Sequence, residues 1–138
     1  MLGQYVNEDV EHNMSDDNVS MLTGLTLVNI TVSDDEIVFT DSDGRAYKMW
    51  HSQDCCESVT IEDITGEIND LLYTPILFAE SVSNSDNLNE RKSSYDESFT
   101  WTFYKFSTIK GSVTIRWYGT SNGYYSESVS FRKISNDF

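Results

Sequence analysis

The stretch Ser98–Lys133, SFTWTFYKFSTIKGSVTIRWYGTSNGYYSESVSFRK, constrains the fold more than any other part of the chain. Its apolar side chains recur at every second position, the repeat of a β-strand and not of a helix. Phe99, Trp101 and Phe103 form one row, Val113, Ile115 and Trp117 a second, and Val129 and Phe131 a third. These rows predict a three-stranded meander with that face buried. The opposite face then carries Thr102, Tyr104 and Phe106, next Thr114, Arg116 and Tyr118, and last Ser126, Ser128, Ser130 and Arg132. Two turns set the register. An odd-length loop at Lys110-Gly111 places Trp101 opposite Trp117. Asn122-Gly123 is a hairpin signal, because both residues tolerate positive φ. A bulge there brings Trp117 opposite Val129 and keeps the apolar rows aligned.

The rest of the chain repeats the theme. LTLVNITV, EIVFT and RAYKMWH, separated by Asp34-Asp35 and by Asp41-Ser42-Asp43-Gly44, predict a second meander over residues 25–51. DSDG resembles the start of a calcium loop, but the remaining ligands of that motif are missing, which favours a hairpin turn. SVTIED suits strand or helix. GEINDLL predicts a short helix ended before Pro75. ILFAESV (76–82) predicts a further strand, and residues 83–97 a polar loop. The expected class is α+β, mainly antiparallel β-sheet, with one or two short helices. Residues 25–138 form one β-rich domain, and residues 1–24 an acidic, poorly ordered arm.

The net charge is −14, and it is unevenly spread. Residues 1–44 hold ten acids and no Lys or Arg, whereas residues 104–133 hold five basic residues against Glu127. Overall acidity argues against direct nucleic-acid binding, which needs basic surface for the phosphates. Two options remain: a mimic of nucleic acid, or an acidic shell around one local basic pocket. No apolar run is long enough to span a membrane. The N-terminal stretch lacks the basic and apolar parts of a signal peptide, so a cytoplasmic location is expected.

His51, Asp54, Cys55, Cys56 and Glu57 are the densest group of possible metal ligands. The spacing of structural zinc pairs is absent, so a structural role is expected and no metal. In that role the cysteines pack in the core, and His51, Gln53 and Asp54 bond neighbouring backbone. No nucleophile–base pair, Gly-rich phosphate loop or H-E-x-x-H motif is evident, so neither catalysis nor a cofactor is expected. The best ligand site is the outer face of the predicted meander with the RWYGTSNGYYSES corner. Arg116 and Arg132 suit an anionic group. Tyr104, Tyr118, Tyr124 and Tyr125 suit stacking on a base. Asn122 and Ser126 suit a base edge or ribose. The competing reading pairs Arg116 with an acid such as Glu127 and leaves the tyrosines as ordinary sheet residues.

The paired motifs H-x-Q-D-C-C-E and RWYG-x-SNGYYSE, within Leu25–Lys133, resemble a family of small proteins encoded mainly by bacteriophages and prophages. That family is similar to the phage Thoeris anti-defence sponges. The resemblance implies a β-rich homo-oligomer that performs no catalysis. It would bind a cyclic ADP-ribose isomer made by a defence enzyme and keep it from its effector. It assigns no binding residue individually. The alternative function is an acidic DNA mimic that inhibits a nucleic-acid-binding defence protein.

Overall fold

The computed structural model describes residues 17–85 and 90–134. It has eight strands: β1 Leu27–Val32, β2 Glu36–Asp41, β3 Ala46–Trp50, β4 Ser58–Thr65, β5 Phe78–Asn84, β6 Ser98–Thr108, β7 Gly111–Ser121 and β8 Ser130–Lys133. They form two four-stranded antiparallel sheets, ordered β1-β2-β3-β8 and β4-β7-β6-β5. The 3-10 turns that lie wholly within the described residues are Val19–Leu22 and Ile68–Leu71. The mainly antiparallel class holds, with the helices reduced to these turns. Among the described residues, no helix is long and apolar enough to cross a membrane.

The sheets pack face to face, because each has one apolar face to remove from water. Ile37 and Phe39 of β2 and Met49 of β3 meet Phe106 of β6 and Ile115 and Trp117 of β7 in one core. The Phe39 and Phe106 rings lie 5.8 Å apart. The Trp117 indole N–H donates to Met49 Sδ at 3.3 Å, giving the buried indole its polar partner. The DSDG segment is a hairpin turn with Gly44 at φ +86°. Asp41 accepts there from the Asp43 and Arg45 amides and the Tyr47 hydroxyl, each at 2.9 Å. Of the expected arm, residues 1–16 lie outside the described residues. Val19 and Leu22, further on, are in the core.

Three expectations about Ser98–Lys133 are corrected. First, Thr108 pairs with Gly111, so the loop between β6 and β7 is the two-residue Ile109-Lys110. The even loop places Trp101 opposite Tyr118 and Thr102 opposite Trp117. Second, the core-facing row of β6 is therefore Thr102, Tyr104, Phe106 and Thr108, all buried, while Trp101 and Phe103 face outward and are half-buried. Aromatic residues occupy both rows of β6, so its pattern admits either phase. On β7 the expected row Val113, Ile115 and Trp117 is indeed buried. Third, the chain does not return beside β7 after Asn122-Gly123. It crosses to the other sheet, where β8 pairs with β3 and Phe131 lies opposite Met49.

Two sheet-to-sheet crossings thus lie side by side: residues 51–57 from β3 to β4, and residues 122–129 from β7 to β8. Because β3 adjoins β8 and β4 adjoins β7, the two segments run between the same pair of neighbours.

Candidate functional site

The crossings coincide with the two sequence motifs, and their polar residues tie them together. Glu57 is buried, and its carboxylate accepts from the Asp54 amide at 2.8 Å and the Cys55 amide at 3.0 Å. His51 Nε2 is hydrogen-bonded to the same carboxylate at 2.6 Å, and Nδ1 lies 2.6 Å from the Ser128 carbonyl oxygen. His51 is thereby the clasp between the crossings. The Gln53 amide donates to the Cys55 and Glu57 carbonyls. The backbone bonding expected of His51 and Gln53 holds, but Asp54 contributes through its amide. Cys55 and Cys56 are joined to each other and are exposed, not packed in the core. A seven-residue crossing whose centre is filled by Glu57 has no apolar space for them.

The His51 contact, opposed by burial and aided by the two amides, lowers the Glu57 pKa from 4.5 to about 2. A lowered folded-state pKa means that this carboxylate stabilises the fold above pH 4.5 and loses that contribution as pH falls towards 2. Glu57→Gln should therefore melt below the wild type at neutral pH, and the gap should close through that window. A gap that stays constant down to pH 2 would show that the Glu57 charge is not what the crossing uses.

The second crossing explains RWYG-x-SNGYYSE. Glu127 is buried and accepts from Thr100 Oγ1 at 2.7 Å and Ser121 Oγ at 2.6 Å. It lies against Gly119, where an added Cβ would come within 2.9 Å of the Glu127 carbonyl oxygen and 3.1 Å of Val59. Gly119 is thus the gap through which the crossing passes. Asn122 Oδ1 accepts from the Tyr124 amide, and Gly123 takes φ +91°.

The outer face of the β4-β7-β6-β5 sheet carries the candidate binding surface. Cross-strand register sets Asp63, Arg116, Phe103 and Val82 in one row. The next row is Thr60, Tyr118, Trp101 and Asn84. The Arg116 guanidinium carbon lies 5.2 Å from the centre of the Trp101 ring, within cation–π range. Trp101 stacks beside Phe103 at 6.3 Å and meets Tyr118 at 4.4 Å. Glu90, Trp101, Phe103 and Arg116 line an open cleft of about 250 Å³. Arg116 and Asp63 approach to 3.8 Å, with their side chains 42% and 49% exposed. At that length and exposure the pair is weak. Arg116 Nε is buried and has no hydrogen-bond partner among the described residues.

The six residues expected to bind ligand are therefore divided. Arg116 and Tyr118 share this face. Asn122 and Tyr124 sit on the second crossing, with Tyr124 82% exposed. Tyr104 is buried in the core, its hydroxyl facing the Val129 carbonyl. Arg132 is on β8, opposite Lys48 in the other sheet. The acid nearest Arg116 is Asp63 and not Glu127, whose oxygens serve Thr100 and Ser121. Sequence reasoning missed Trp101 and Phe103, because it counted their row as the buried one. The even Ile109-Lys110 turn was the signal that would have moved them outward.

A family model described as a domain of unknown function, DUF7448, matches residues 20–131. No curated protein and no solved structure matches the chain.

Proposed function

The chain belongs to the DUF7448 family, and we propose that it is a non-catalytic binder of a small nucleotide. It holds that nucleotide intact on the Trp101–Arg116 face. The observation that carries this reading is the Arg116 guanidinium beside Trp101 on an open sheet face. The ring offers a stacking surface for a base, and the guanidinium a planar, charge-assisted contact for a phosphate. Arg116 also belongs to residues 104–133, where five basic residues stand against one acid. Around this face no nucleophile–base pair is assembled among the described residues. Glu57 and His51, the tightest acid–imidazole pair, are enclosed by the crossing they hold.

A protein that binds without turnover acts by lowering free ligand concentration. Competing with a receptor requires a dissociation constant near nanomolar, about −12 kcal/mol. This fits the sponge role implied by the resemblance: a phage protein that sequesters a cyclic ADP-ribose isomer and so counters bacterial immunity. A second reading rests on the net charge of −14, which suits an acidic mimic of DNA that occupies a basic cleft on a defence protein. Extraction of the purified protein separates the two. The binding reading expects an intact nucleotide in the extract, and the mimic reading a bound macromolecule instead.

A further inference from the structure

We infer that the segment Glu90–Asp96 is a strap latched by the Tyr118 hydroxyl, closing one end of the Trp101–Arg116 face so that it admits a nucleotide but not a continuous strand. The inference rests on the binding role given to this face. Tyr118 was expected to stack on a base, but it is a positioning residue. Its hydroxyl accepts from the Lys92 amide at 2.9 Å and donates to Asp96 Oδ2 at 2.7 Å, holding the segment at its middle and at its C-terminal end. Two further ties cross the same face. Trp101 Nε1 donates to the Glu90 carbonyl at 2.8 Å, and Lys92 Nζ meets Glu62 at 2.7 Å. The Lys92 ammonium lies 5.4 Å from the centre of the Tyr118 ring. Burial raises the Tyr118 pKa, the Lys92 amide opposes that, and the Asp96 carboxylate adds to it. The hydroxyl therefore keeps the proton it donates.

The consequence is selectivity by length. Proteins that read single strands on a sheet offer successive bases an uninterrupted run of aromatic surface. Here Phe99 continues the Trp101–Phe103 row, yet it is buried against Tyr118 at the end where the strap lies. The open part of the row ends at Trp101, beside the strap's Glu90 carbonyl.

The strap contains its own reporter, because trypsin cuts after Arg91 and Lys92. Tyr118→Phe keeps the ring and removes both latch bonds. Cleavage at these two sites should accelerate about tenfold or more, with other sites unchanged. Asp96→Ala, which alters only the strap, should accelerate it in the same direction. AMP and a ten-residue deoxyadenosine strand are the binding probes. Wild type should bind AMP and not the decamer, and Tyr118→Phe should gain decamer binding. Unchanged cleavage in both variants, or decamer binding by the wild type, would overturn the latch. If cleavage accelerates as stated but AMP does not bind, the latch stands and the nucleotide reading of the face falls.

Discussion

Replacing Arg116 by alanine should weaken nucleotide binding about ten- to a hundredfold and leave the melting temperature nearly unchanged. The guanidinium contributes a charge-assisted contact of about 1.5–3 kcal/mol to a phosphate. Its contribution to folding is small, because the nearest acid, Asp63, is 3.8 Å away and both side chains are about half exposed. Arg116→Lys should recover only part of the affinity. An ammonium cannot make the planar bidentate contact, and it stacks less well on Trp101. Raising salt should weaken the wild type in the same direction as the alanine change. Titration calorimetry and a thermal melt on the same three proteins check this. An alanine variant that melts much earlier yet binds as before would make Arg116 a structural partner of Asp63.

Gly119→Ala should do the reverse, costing stability before it costs binding chemistry. The new Cβ would lie 2.9 Å from the Glu127 carbonyl oxygen, 3.0 Å from the Glu127 Cβ and 3.1 Å from Val59. Backbone on one side and a buried branched side chain on the other leave no flexible group to yield. Overpacking of this kind costs about 1–3 kcal/mol. In a domain of this size that lowers Tm by roughly 3–5 °C for each kcal/mol. The crossing should loosen first, so hydrogen exchange at residues 122–129 should rise more than in β2 or β3. Exchange that rises uniformly, or a Tm that does not move, would mean that the crossing does not depend on the gap at Gly119.

The two positions also show what the sequence could and could not disclose. Strict alternation in SVTIRW was enough to place Val113, Ile115 and Trp117 in a core, because one residue type occupies each face there. It was not enough for SFTWTFYKF, where aromatic residues stand in both rows and only the parity of the turn decides which points inward. That one parity moved Trp101 and Phe103 into the candidate site and Tyr104 out of it. Asn122-Gly123 was legible as a turn, since Gly123 does take positive φ. Its destination was not legible, because the chain beyond Gly123 is a crossing held by long-range contacts. Glu127 meets Thr100 and Ser121, and Ser128 meets His51 across 77 positions of sequence. H-x-Q-D-C-C-E was legible as a structural cluster by what it lacked as a zinc motif. That Glu57 would fill its centre and leave the cysteines outside could not be read from spacing.

The central claim is that this protein holds a small nucleotide and does not change it. The direct measurement is mass spectrometry of the small molecules released by heating the purified protein, with the bound fraction quantified per chain. The expected result is one nucleotide, chemically intact, close to stoichiometric with the wild type and sharply reduced in Arg116→Ala. Recovery of a hydrolysed product would make the protein an enzyme. An extract free of nucleotide, from protein that co-purifies with a macromolecule bearing a basic cleft, would contradict the binding role and favour the acidic mimic.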